Sequence, residues 1–119
     1  MSDLAQAQQF AAERLADPAY RDACEGAARY AQVVHGQIQD LPVLDGTHLY
    51  IIWDCWHALM AVQQVRRSSH ETDLLHEMVE TVQEIMLTGV ADEEQTDRLR
   101  DCLLAGGKSF QQRVENCTS

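Results

Sequence analysis

The segment from Leu49 to Val62 constrains the fold more than any other part of the chain, because it is apolar on almost every side of a helix. Only a narrow strip is polar, formed by Tyr50, Asp54 and His57. A helix with apolar residues all round must be covered on nearly all sides. The sequence therefore predicts either the central helix of a bundle or a helix that a second protein partly covers.

Helical periodicity continues on both sides of this segment. The two prolines, Pro18 and Pro42, fall at chain turns, and residues that favour helices are plentiful. Further boundary signals are Asp45-Gly46, a Ser68–Glu71 capping box, Gly89 as a left-handed cap and an Asp92–Gln95 cap. The predicted helices run from Ser2 to about Ala16, from Pro18 to about Asp40, from His48 (capped by Thr47) to about Arg67, from Ser68 to about Thr88, and from Asp92 through a segment bearing Leu99, Leu103 and Leu104.

Gly106-Gly107 is expected to break or loosen the last of these helices. The apolar spacing then resumes with Phe110, Val114 and Cys117, which predicts a short final helix. A chain of 119 residues fits one domain. We therefore expect a single all-α domain over residues 1–119, a small bundle of four main helices plus a short C-terminal helix.

The chain is strongly acidic, with 19 Asp and Glu against nine Lys and Arg, and a net charge of −10. Phosphate backbones are bound by Lys and Arg that neutralise them, so direct binding to nucleic acid is not expected. The N-terminus lacks the basic and apolar regions of a signal peptide, and no apolar stretch reaches the ~20 residues of a membrane span. We expect a soluble cytoplasmic protein that does not enter the membrane.

Two Asp-x-x-His pairs are the best candidates for a metal site, Asp54 with His57 and Asp73 with His76. Helical bundles use carboxylate-x-x-His pairs to hold two metal ions. In an antiparallel hairpin about Ser68, however, the two pairs are offset by about six residues, or ~9 Å at the rise of an α-helix. No nucleophile, phosphate-binding glycine loop or zinc-type spacing accompanies them. We expect no catalytic residue, no metal and no cofactor.

Asp54 and His57 also allow a structural interpretation. A carboxylate three residues before a histidine shares its helix face and can bond to it. We expect a satisfied polar pair, together with Tyr50, in apolar surroundings. The alternative is a polar anchor within a binding surface.

The four cysteines are scattered along the chain with no Cys-x-x-Cys pair. Scattered cysteines of a reducing compartment usually behave as small buried apolar residues. We expect this of Cys24, Cys55, Cys102 and Cys117, with a redox-active thiol or disulfides as the alternatives.

The aromatic cluster is the stronger functional signal, because three of the seven aromatic residues, Tyr50, Trp53 and Trp56, lie within seven positions. Trp and Tyr are favoured as interface anchors, since they bury a large rigid area and keep a polar group. The other interpretation is that this helix is simply the core of the bundle. The contact residues predicted for a protein partner, or for a second copy in a homodimer, are Leu49, Ile52, Trp53, Trp56 and Met60.

The short acidic helical architecture, the aromatic and apolar helix from His48 to Val62, and the absence of catalytic motifs resemble the QslA-type quorum-sensing antiactivators of pseudomonads. The resemblance spans the whole chain in size and character. It implies a homodimer that binds the ligand-binding domain of LasR, a LuxR-type transcription regulator, and prevents that regulator from dimerising.

The sequence is therefore compatible with three functions. The first is a non-enzymatic antiactivator that binds a transcription regulator through an apolar helical surface. The second is an acidic inhibitor of a nucleic-acid-binding complex, in which the acids between Glu71 and Asp101 would carry binding. The third is a metal- or cofactor-binding helical bundle that uses His57 and its neighbours.

Overall fold

The computed structural model describes residues 18–118 of the chain and the side chains of residues 18–116. These residues form four α-helices and no strand: α1 (Pro18–Ile38), α2 (Gly46–Gln63), α3 (Ser69–Thr88) and α4 (Glu93–Thr118). The predicted all-α class is confirmed for this part of the chain. The helix predicted from Ser2 to about Ala16 lies outside the described residues.

Successive helices run antiparallel, because only a few residues join each pair. α1 packs against α2 and α4, and α3 also packs against α2 and α4, so each helix has two neighbours around one core. This is the up-down-up-down arrangement of a four-helix bundle. The α2–α3 turn lies at one end of the bundle, together with the start of α1 and the end of α4.

The core is built from one apolar stripe of each helix. α1 contributes small residues, and α4 contributes Leu99, Leu103 and the fully buried Phe110. Small side chains let two helix backbones approach closely, so α1 and α4 form the tightest pair. The small buried residues of α1 are Cys24, Ala27, Ala28 and Ala31.

The predicted break at Gly106-Gly107 is wrong, because α4 continues through both glycines as one helix of 26 residues. Both are buried where helices meet. A Cβ on Gly107 would lie 3.1 Å from Cγ of Gln32, and a Cβ on Gly106 would lie 3.5 Å from Cδ2 of Leu74. Glycine costs a helix about 1 kcal/mol relative to alanine, and at Gly107 the close packing of Gln32 against this position offsets that cost. The predicted short C-terminal helix is therefore the second half of α4.

The turn between α3 and α4 has the two caps that the sequence predicts. Gly89 adopts a left-handed conformation with φ of 79°, and its N–H donates to Ile85 O at 2.7 Å. Asp92 Oδ1 accepts from Gln95 N at 2.7 Å, while Gln95 Oε1 accepts from Asp92 N at 3.1 Å. Val90, the residue after this cap, is 67% exposed.

The turn between α1 and α2 differs from the prediction. Asp45, not Thr47, is the N-cap of α2, because its Oδ1 accepts from His48 N at 3.0 Å and His48 Nδ1 accepts from Asp45 N in return. α1 ends at Ile38 and α2 at Gln63, a few residues before the predicted ends near 40 and 67.

The start of α3 also departs from the predicted capping box. Ser68 is the N-cap residue as predicted, but its side chain makes no capping hydrogen bond. The carboxylate of Glu71, expected to complete the box, instead accepts hydrogen bonds from Arg113 of α4 at 2.9–3.1 Å. The ion pair between Glu71 and Arg113, which are distant in the chain, therefore takes the place of the predicted local capping box.

Candidate functional site

Only part of the apolar surface of α2 packs into the core of the bundle. Ile52, Cys55 and Leu59 are fully buried, so they belong to the bundle interior. Four of the five predicted contact residues remain half-buried at the edge of the core: Leu49, Trp53, Trp56 and Met60. The fifth, Ile52, is 0% exposed and cannot reach a partner while the bundle is folded.

Trp53 and Trp56 form a stacked pair beside His57. Their ring centroids lie 5.5 Å apart with an interplanar angle of 25°. The His57 ring meets both indoles edge-on, at centroid distances of 5.1 Å from Trp53 and 5.0 Å from Trp56. Offset stacking and edge-to-face contacts each add about 0.5–1.5 kcal/mol beyond area burial. The cluster therefore holds its own shape on the flank of α2.

The two indoles differ in how they are tied to the bundle. Trp56 Nε1–H donates to the backbone oxygen of Leu75 in α3 at 2.9 Å. Trp53 Nε1–H has no acceptor among the residues that the structure describes, and it is not a buried unsatisfied group. Trp56 is thus a fixed support, while Trp53 presents an apolar ring and a free donor to the surroundings.

The register between α2 and α3 extends this cluster into a strip. Gln63 Nε2 donates to Thr72 Oγ1, which places these two residues at the same level of the antiparallel pair. Leu49 lies fourteen residues before Gln63 and Met86 fourteen after Thr72, so Leu49 and Met86 are level with each other. Met86 is 66% exposed. We refer to Leu49, Trp53, Trp56, Met60 and Met86 as the α2–α3 face.

Asp54 and His57 do not form the expected polar pair with Tyr50. Tyr30 of α1 donates its hydroxyl to Asp54 Oδ2 at 2.7 Å. His57 Nδ1 lies 2.9 Å from Trp53 O, and because a carbonyl only accepts, this nitrogen donates. Burial and the hydrogen bond to Asp54 raise the pKa of Tyr30 to about 12. The carboxylate and the imidazole thus have different partners, and Tyr50 is 71% exposed.

In the second Asp-x-x-His pair, the histidine also interacts with a neighbour on its own helix rather than with its predicted partner. His76 Nε2 lies 2.9 Å from Glu80 Oε1, one turn further along α3. Within residues 18–118, no three His, Cys, Asp or Glu side chains are grouped so as to hold a metal ion. The two pairs lie at different levels of the bundle and do not meet.

Three of the four cysteines are buried thiols that form no disulfide, as the sequence predicts: Cys24, Cys55 and Cys102. Burial raises the pKa of Cys55 and of Cys102 to about 12, and nearby carboxylates add to the effect. Thiolate is the reactive form, so these thiols are poor nucleophiles at neutral pH. The side chain of Cys117 lies outside the described part of the chain.

Sequence reasoning missed a buried polar cluster at the α2–α3 end of the bundle. Besides Glu71, Arg113 donates to the hydroxyl of Tyr20 at 2.8 Å and to the backbone oxygen of Arg66 at 2.6 Å. The cluster joins α1, α3, α4 and the α2–α3 turn. The only sequence feature that points to this cluster is Glu71, and its spacing from Ser68 fits a capping box equally well.

No protein-family model matches the sequence, and no curated protein or solved structure shows significant similarity to the chain. None of the described helices has the length and apolar character needed to cross a membrane.

Proposed function

We propose that this chain is a non-enzymatic cytoplasmic regulator that captures a partner protein through the α2–α3 face. The partner suggested by the resemblance to QslA-type antiactivators is a LuxR-type quorum-sensing transcription regulator. Occupying the interface through which that regulator dimerises would block its activity without chemistry. This chain would itself form a homodimer, and it would make no direct contact with nucleic acid.

The observation that carries this proposal is the position of the tryptophan pair. Both indoles are only half-buried, although the chain has enough helices to hide a core residue completely, as it does Ile52. A partly exposed strip of aromatic and thioether side chains, in which the Trp53 indole N–H has no acceptor among the described residues, has the composition of an interface centre. The stacked arrangement means that the strip needs little ordering when a partner binds.

The size of the expected effect follows from the exposed part of Trp53. A tryptophan buries about 150–250 Å² when fully covered, so a partly buried one such as Trp53 can bury at most roughly 80 Å² more. At about 25 cal/mol per Å², this contributes roughly 2 kcal/mol to binding. Loss of that contribution weakens affinity roughly 30-fold.

The test begins with a pull-down from host cytosol and continues with the purified prey, titrated by calorimetry. Trp53→Ala is expected to weaken binding roughly 30-fold. Met86→Glu, which places a charge on the same face without touching the core, is expected to abolish binding. Leu104→Ala is the matched control, because Leu104 is exposed on α4, the helix diagonally opposite α2.

Two results would contradict this proposal. One is normal binding by a folded Trp53→Ala variant. The other is an equal loss in Leu104→Ala. Binding that weakens steeply as salt is added would instead favour the acidic-inhibitor function, because apolar contacts are much less sensitive to ionic strength. Light scattering on the free protein tests the homodimer separately.

A further inference from the structure

A cavity of about 780 Å³ opens at the α2–α3 end of the bundle. Its walls are the α2–α3 turn, the first residues of α3, Tyr20 of α1 and one stripe of α4 from Ala105 to Asn116. Small-molecule sites in proteins usually occupy about 300–1,000 Å³. None of the residues that line the cavity belongs to the α2–α3 face.

The charge of the cavity wall is opposite to that of the protein. Among the described residues, the wall carries four cationic side chains, Arg66, Arg67, Lys108 and Arg113, against one carboxylate, Glu71. Its net charge is therefore +3, in a chain whose net charge is −10. Four of the nine Lys and Arg residues of the sequence thus meet at one place.

Most of this positive charge is not used inside the protein. Residues 18–118 contain eight Lys and Arg, of which Arg29, Arg98, Arg100 and Arg113 form ion pairs. The remaining four have no ion-pair partner among the described residues, and three of those four line the cavity: Arg66, Arg67 and Lys108. All three are exposed, so their charge is accessible to a ligand in the cavity.

The floor of the cavity is rigid and rich in donors. Arg113 is held by three partners at once, with only 11% of its side chain exposed. The backbone N–H groups of Ser69, His70 and Glu71 begin α3 without an acceptor among the described residues, since Ser68 does not cap them. Such groups add to the attraction for an anion that the free cations exert.

We propose that this cavity binds a small polyanion carrying phosphate or carboxylate groups. Guanidinium groups pair with both kinds of group through two parallel hydrogen bonds, and a lysine adds a point charge. Three separate free cations suit a ligand with more than one anionic group better than a single small anion. The site acts independently of the proposed partner surface, and its test does not depend on that function.

The test is calorimetric titration of the full chain with pyrophosphate and, in a second arm, with citrate. Saturable binding of at least one of them is expected. The double variant Arg67→Gln/Lys108→Gln should weaken it at least roughly 10-fold, because both charges attract the ligand at short range in a partly enclosed site. Both residues are exposed, so the fold should persist. Arg21→Gln is the matched control, since Arg21 has no ion-pair partner in the part of the chain that the structure describes and does not line the cavity.

Amide NMR spectra add a positional readout, because bound pyrophosphate or citrate should shift the signals of Ser69 and His70. Preference for pyrophosphate would identify a phosphate ligand, and preference for citrate a carboxylate ligand. The proposal is overturned if neither probe binds saturably, if the double variant binds as tightly as the native chain, or if Arg21→Gln loses as much affinity.

Discussion

The buried pair of Arg113 and Glu71 offers the sharpest test of how this bundle is held together. Arg113 lies near the end of α4 and Glu71 at the start of α3, and their side chains are 11% and 5% exposed. All three guanidinium nitrogens of Arg113 donate hydrogen bonds: Nε to Glu71, Nη1 to the hydroxyl of Tyr20 and Nη2 to the backbone oxygen of Arg66. The buried charges of the pair are therefore satisfied within the protein. The hydrogen bonds to Glu71 raise the pKa of Arg113 above its ordinary value, against the opposing effect of burial.

The substitution Arg113→Met should cost about 3–5 kcal/mol of unfolding free energy, because it leaves a buried carboxylate without its cation. That is a large part of the stability of a domain of this size, which is about 5–15 kcal/mol. The double substitution Arg113→Met/Glu71→Leu removes both charges and keeps similar volume. It should recover most of the loss, since replacing a whole buried ion pair by apolar residues is often close to neutral.

The measurement is urea unfolding followed by circular dichroism, which gives the free energy by linear extrapolation. Arg98→Met is the matched control on the same helix. The carboxylates around Arg98 are more than half exposed, so the loss there should be within about 1 kcal/mol. A small loss in Arg113→Met, or a double variant whose loss equals the sum of the two single losses, would refute the assigned role of the pair.

Three further perturbations have defined outcomes. Gly106→Ala should raise the unfolding free energy by about 1 kcal/mol, because its Cβ meets only ordinary contacts at 3.5 and 3.8 Å; a loss in urea unfolding would show that the helices need glycine there. Tyr30 should titrate near its raised pKa of about 12 in tyrosinate absorbance, and Asp54→Ala should lower that value; an unchanged titration would contradict the role of Asp54. Because the raised pKa lies above the unfolded value of about 10, Tyr30 contributes stability that is present below pH ~10 and lost as pH rises toward 12. With the last cysteine of the chain replaced by serine, Cys55 and Cys102 should react with a thiol reagent at mildly alkaline pH only after denaturation, and fast labelling of the native protein would refute their burial.

The parts of the fold that depend on neighbouring residues could be predicted from the sequence. The left-handed cap at Gly89 and the mutual cap of Asp92 with Gln95 each depend on residues within one turn. The all-α class follows from the apolar spacing of every segment. These features need no knowledge of which helix packs against which.

The features that the sequence did not predict correctly depend on residues that are far apart in the chain. Gly106-Gly107 looks like a helix break locally, but α4 continues through it, and the close approach of α1, with Gln32 Cγ 3.1 Å from a Cβ on Gly107, favours a small residue at that position. Glu71 fits a capping box, but Arg113 lies 42 positions away and binds it more strongly than a backbone N–H would. In both cases the deciding partner is distant in sequence, so no local pattern could have revealed it.

The proposed surface depends on the same distinction. A sequence with apolar residues all round α2 predicts that some of this surface exceeds what one core can cover, but it does not say which part. Ile52 and Trp53 are adjacent in the chain, yet the first is fully buried and the second only partly buried. Two neighbouring helices cover only part of the circumference of a bundle helix. The apolar surface left partly uncovered lies on the flank of α2 beside α3, and it includes the two tryptophans, the largest side chains of the chain. A second protein that covered this strip would complete the burial that the bundle leaves unfinished.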